Sequence, residues 1–159
     1  MVLLYPDHPI SNEHKLIEKS VVLRPSSITG AGNGVYTLKD INRGDDLGYY
    51  IGEVLTENEF ENRYAKDGYG EYVLRIPDKN AEGKFIIIDA KNHYNWVSRV
   101  NAPKGTKKRK NIYWDNEGRV YASRNIKAGE ELFVDYGNDY WKGKKRGETR
   151  KNKKDLRRF

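Results

Sequence analysis

Apolar residues in this chain come in short bursts, and that rhythm limits the fold more than any other feature. Val21 to Leu23, Val35 to Tyr36, Leu47 to Ile51, Tyr72 to Ile76 and Phe85 to Ile88 are strand-sized and lie among Gly, Pro, Asn and Asp residues. Runs of this kind between turn residues read as β-strands. None approaches the roughly 20 apolar residues of a membrane-crossing helix. The clearest helix signal is Thr56 followed by Glu59, a capping box that opens a helix ending near Ala65. Gly30 to Gly34, Asn42 to Asp45 and Ala128-Gly129 read as turns. Asn111 to Asp115 and Arg119 to Ser123 form a hairpin around Asn116 to Gly118, and Asn92 to Val100 is irregular or a short helix. Many short strands with one helix point to a mostly β, α+β domain.

A chain of 159 residues can build one domain with its own core. Residues 1–18 show no clear periodicity and read as a lead-in arm, residues 19–141 as the domain, and 142–159 as a basic tail. Met1 to Tyr5 is too short for a signal-peptide core and lacks a basic leader, so the expected location is intracellular. There is no cysteine, hence no disulfide and no thiolate zinc site. His8, His14 and His93 do not cluster, and no metal is expected.

The net charge of +7 is unevenly placed. Residues 142–159 hold ten basic and two acidic residues, while the rest hold twenty and twenty-one. Five of those twenty lie in one run, Lys104–Lys110. The body without that run is acidic, which suits a cationic substrate, and the basic appendages suit nucleic acid. A solvated loop and a solvated tail would look the same.

Several residues could carry chemistry, and each has a plainer use. The glycines of Gly30 to Gly34 would let backbone approach a ligand, or simply make a turn. A strand follows them where a dinucleotide fingerprint needs a helix. Tyr50, Tyr72 and the aromatics of Asp135 to Trp141 could line a site or pack a core or interface. Asp89, Asn95 and Asn101 could serve a site or hold loops by side-chain to backbone hydrogen bonds.

Taken in order, these segments resemble one family. Gly32-Asn33-Gly34, Tyr50-Ile51-Gly52, Ile88 to Lys91 followed by Asn95 and Asn101, and Ile126 to Gly137 resemble the SET domain. The most specific stretch is Ala128-Gly-Glu-Glu-Leu132, two residues, then Asp135-Tyr136-Gly137. The ending through Trp141, with no cysteine-rich segment after it, is similar to small stand-alone SET proteins of large DNA viruses. The Asn95 to Ala102 stretch resembles the related PR domains. Ser98 and Arg99 stand where the family usually has Arg and an aromatic, and Ala102 stands in place of its His.

The resemblance implies small sheets around a pseudoknot, with the C-terminal segment threading past Asn101. It implies a protein-lysine N-methyltransferase using S-adenosylmethionine, with a basic protein such as a histone tail as substrate. Gly32, Asn33 and Gly34 are then expected at the cofactor's methionine end, Asn101 and Ala102 at its adenine, and Trp141 closing over it. Tyr136 matches the catalytic tyrosine, and Tyr50, Tyr72 and Val134 the lysine channel. The small Val134, two residues before Tyr136, implies room for di- and trimethylation. The viral-type likeness points to a homodimer, and to the nucleus or a viral factory. Lys104–Lys110 and the tail would reach DNA. Ser98 and Ala102 motivate an alternative, a PR-like chromatin-binding module, and the tail another, a nucleic-acid-binding protein.

Overall fold

The computed structural model describes residues 2–66, 70–93 and 95–136. The elements run β1 (Leu4–Tyr5), α1 (Asn12–Glu18), β2 (Val21–Pro25), β3 (Asn33–Thr37), β4 (Asp46–Tyr49), β5 (Gly52–Leu55), α2 (Glu57–Tyr64), β6 (Val73–Pro77), β7 (Phe85–Asp89), a 3-10 helix (Trp96–Arg99), β8 (Ile112–Trp114) and β9 (Arg119–Ala122). They form three antiparallel sheets: β1-β5-β7-β6, β2-β3 and β4-β9-β8. The mostly β reading therefore holds.

The expected elements form for the expected reasons. The Thr56 hydroxyl accepts from the Glu59 amide, and the Glu59 carboxylate accepts from the Thr56 amide, closing the capping box that starts α2. The β8–β9 hairpin turns at Asp115, whose carboxylate accepts from the Glu117 and Arg119 amides. Ile87 and Ile88 on β7 are fully buried. Each such side chain contributes roughly 1.5–3 kcal/mol of burial, which makes β7 the anchor of the largest sheet.

The amino-terminal arm is more ordered than its composition suggests. β1 pairs with β5, and α1 starts at Ser11, whose hydroxyl accepts from the His14 amide. Only Ile17 of α1 is buried, and Leu16 is 61% exposed, so no apolar stripe marks this helix in the sequence. His14 Nε2 lies 3.1 Å from the Asp46 carboxylate at the start of β4 and pins α1 to the domain.

Beyond β9 the chain runs back through the middle of the molecule as single bridges rather than a strand. Ile126 bridges Ile41, Glu131 bridges Tyr36 on β3, and Phe133 makes a parallel bridge to Asn101. The Leu132 amide donates to the Val35 carbonyl, and the Val134 amide to the Asn101 carbonyl. Residues 131–134 therefore sit between β3 on one side and Asn101 and Asn111 on the other, as expected of the threaded segment. Leu132 and Val134 are buried in the core cluster with Val35, Val97, Val100 and Ile112.

Candidate active site

Three sequence-distant segments meet at the threaded residues. From the first, the Gly30 to Gly34 turn runs into β3. Gly32 has φ +68°, and a Cβ there would meet no atom within 4 Å, so the turn exposes bare backbone to open space. From the second, the Asn101 side-chain amide donates to the Asn33 carbonyl at 3.0 Å. From the third, the Tyr136 hydroxyl donates to the Val100 carbonyl. Gly32, Asn33, Asn101 and Tyr136 are thereby brought into one neighbourhood, and Ala102 lies half-buried next to Asn101.

Tyr136 is half-buried, with its ring stacked on Trp114 at 6.3 Å and 23°. Trp114 in turn meets the Tyr50 ring edge-on at 5.6 Å. Tyr50 is 4% exposed and its amide donates to the Gly118 carbonyl, so it supports this aromatic wall from within the core. Val134 is 1% exposed and belongs to the same core. Tyr72, half-buried, packs against the same core, with the Arg99 guanidinium 3.7 Å from its ring centre. Ser98 is buried and donates to the Asn95 carbonyl, closing the 3-10 helix.

Gly34 has a specific neighbour. A Cβ added there would lie 2.0 Å from Oε1 of Glu131, so a side chain at position 34 and the Glu131 carboxylate compete for one space. Glu131 is 6% exposed. Its Oε1 accepts from the Ser26 hydroxyl at 2.7 Å, and its Oε2 from the Ser27 amide at 2.9 Å, the Ser27 hydroxyl at 2.6 Å and the Tyr36 hydroxyl at 3.3 Å. Burial pushes the Glu131 carboxyl up, but hydrogen bonds from Ser27, Ser26 and Asn101 outweigh it and hold the group below the usual carboxylate range.

Asn111 completes the clamp. Its side-chain nitrogen donates to the Glu131 carbonyl at 2.9 Å, and its side-chain oxygen accepts from the Phe133 amide at 2.7 Å. Glu131, Asn111, Trp114 and Val100 carry no role in the sequence reading. Glu131 and Val100 stood inside quoted motifs; Asn111 and Trp114 sit in ordinary strand or loop sequence. Lys104–Lys110 is a fully exposed loop, folded at its start by the Thr106 amide and hydroxyl, which both donate to the Pro103 carbonyl. Trp141 and the 142–159 tail lie outside the described residues. Among the described residues no group of His, Cys, Asp and Glu could hold a metal ion, and no helix is long and apolar enough to cross a membrane.

The chain is similar to proteins of known family. The chain is 30% identical over 132 residues to the histone-lysine N-methyltransferase EZH2 of Chaetomium thermophilum, covering 77% of this chain and 8% of that protein. It is 34% identical over 117 residues to the histone-lysine N-methyltransferase SUV39H1-A of Danio rerio, covering 67% and 28%. Its fold superposes with TM-score 0.63 on a structure described as Chaetomium polycomb repressive complex 2, autoinhibited and bound to S-adenosylmethionine. That match has 26% identity and covers 84% of this chain and 17% of that one. The chain thus spans between 8% and 28% of the length of these relatives. The SET domain model matches residues 32–137, more than half of the 159, and the chain belongs to the SET domain family.

Proposed function

We propose that this chain is an S-adenosylmethionine-dependent protein-lysine N-methyltransferase acting on a basic protein, a histone tail in the first instance. The observation that carries the reading is the meeting of the Gly32-Asn33-Gly34 backbone, Asn101 and the Tyr136 hydroxyl around the Val100–Asn101 backbone. The open backbone at Gly32 and the half-buried Asn101 and Ala102 fit a cofactor with polar ends and a flat base. Gly32, Asn33 and Asn101 would hold it, with Ala102 beside its adenine. When bound, the cofactor supplies a methyl group on a sulfonium.

The protein's own task is to present a neutral amine in line. A free lysine has a pKa of about 10.4, so deprotonation at pH 7 costs roughly 4.6 kcal/mol. The aromatic surfaces of Tyr136, Trp114 and Tyr50 exclude water, and desolvation favours the neutral amine. The Tyr136 hydroxyl and the Val100 carbonyl, already hydrogen-bonded, offer fixed oxygens that orient the amine. Positioning of this kind accounts for much of the acceleration in two-reactant transfers. Tyr136→Phe keeps the ring stack and removes the hydroxyl, and is expected to lower methylation of histones and peptide arrays about a hundredfold. Robust activity in that variant would overturn the assigned role.

Charge favours chromatin as the setting. The acidic body suits a basic tail by charge matching. Lys107, Lys108, Arg109 and Lys110 are exposed and make no ion pair among the described residues. The loop that carries them lies between Asn101 and Asn111, both bonded to the threaded segment. We place nucleic-acid phosphates there, beside the bound tail. Charge reversal of the four residues is expected to lower methylation of nucleosomes but not of free peptide, and to flatten the salt dependence of DNA binding.

A further inference from the structure

Glu131 is a buried carboxylate that the methyl-transfer scheme does not use. We propose that it is a positioning residue for cofactor capture, its carboxylate holding the Ser26–Gly34 turn in the shape that receives S-adenosylmethionine. The inference rests on the methyltransferase reading.

The donors to Glu131 are neutral: the Ser26 and Ser27 hydroxyls, the Ser27 amide, the Asn101 side-chain amide and, more weakly, the Tyr36 phenol, whose shorter hydrogen bond goes to the Pro25 carbonyl. Among the described residues no Lys, Arg or His lies within ion-pair distance of it. Taking a carboxylate out of water without a cation is costly unless several hydrogen bonds converge on it. Here the three shortest come from one turn. Ser26 and Ser27 are the residues from which that turn is folded. The Ser26 amide donates to the Gly32 carbonyl, and the Ser26 hydroxyl also accepts from the Ile28 amide. The carboxylate therefore grips the root of the turn whose tip is the open backbone at Gly32.

Its own backbone is tied to the other half of the site. The Glu131 carbonyl accepts from Asn111, and two residues on, Phe133 bridges Asn101. Asn101 in turn bonds the Asn33 carbonyl at the far end of the turn. One residue thus links the turn to the segment that ends in Tyr136. Gly34 leaves room for the carboxylate, because any Cβ there would displace Oε1. The residue before Glu131 is a built-in control. Glu130 points elsewhere, accepting from the Lys127 amide and lying 3.6 Å from Arg124.

Glu131→Gln keeps the size but brings an NH2 group against donors, leaving buried donors unmatched. Calorimetric titration with S-adenosylmethionine is expected to give binding about tenfold weaker or more, since an unmatched buried donor is expensive. The rate at saturating cofactor should stay within about threefold, because Tyr136 and Val100 are untouched, so the loss falls on KM rather than kcat. Hydrogen exchange should quicken over residues 26–34. Glu130→Gln should bind like the parent. Where Glu131→Gln does not fold, Ser26→Ala and Ser27→Ala carry the test, each expected to weaken binding severalfold at about 1 kcal/mol of lost hydrogen bonding, or roughly fivefold. A parent that binds the cofactor beside folded variants that bind it equally overturns the positioning role alone. So does an equal fall in kcat. A parent that binds no cofactor, even with a peptide present, overturns the methyltransferase reading and this inference with it.

Discussion

Two buried carboxylates, Asp89 and Glu131, solve the same problem in opposite ways. Asp89, 1% exposed at the end of β7, meets the Arg63 guanidinium at 3.0 Å, the Tyr64 hydroxyl at 2.6 Å and the Lys91 amide at 3.0 Å. Arg63 is shared with Glu53, at 2.9 Å, so α2 is bound to β5 and β7 by an ionic network. Proximity to the two carboxylates raises the Arg63 pKa, and burial beside Asp89 raises that of Tyr64, so both keep their protons. Glu131 takes its shortest hydrogen bonds from a turn and, among the described residues, has no cation within ion-pair distance. The ionic arrangement pairs the charge with a shared cation and locks a helix onto a sheet. The neutral one leaves a negative charge beside the candidate cofactor turn, and its hold depends on the shape of that turn.

The sharpest way to break the contrast is Gly34→Ala. The new methyl would force the Glu131 carboxylate out of its cage, and we expect a loss of about 3 kcal/mol in urea denaturation, from steric overpacking plus unmatched donors. Stability within about 0.5 kcal/mol of the parent would show that the carboxylate can move freely. Asp89→Ala should cost somewhat less, about 2 kcal/mol, because Arg63 keeps Glu53 and part of its solvent contact. It should leave cofactor affinity unchanged, and a tenfold loss there would erase the distinction between the two carboxylates. The smallest effect concerns pH. The Glu131 pKa is lowered on folding, so its contribution to stability is full above the ordinary carboxylate range and is lost as pH falls through the lowered folded value. Melting temperatures of parent and Glu131→Gln should therefore converge towards acid; parallel curves would show that the carboxylate is not charged in the fold.

Those two regions also differ in how plainly the sequence announces them. β6, β7, α2 and the β8–β9 hairpin depend on neighbours within a few dozen residues, and their strand runs, capping box and turn were legible. α1 and β5 were not, because α1 buries one side chain and β5 exists by pairing with β1 and β7. Gly32, Asn101 and Tyr136 became site candidates through the family resemblance rather than any local pattern. Glu131, Asn111 and Trp114 drew no attention to their roles, since each role lies in a partner far along the chain. Tyr72 illustrates the limit from the other side: an aromatic at a strand end was evident, but the cation over its ring was not.

The threaded segment has a consequence in time. Hydrogen bonds between Glu131 and Ser26 or Ser27 join positions 105 and 104 apart, whereas those from α2 to Asp89 join positions 25 and 26 apart. Closing longer loops carries a greater entropy cost, and contacts distant in sequence slow folding. During synthesis from the amino terminus, β1 to β7 can consolidate before residues 131–136 have emerged. The proposed site is then expected to form after the bulk of the fold, once the threaded segment is drawn through.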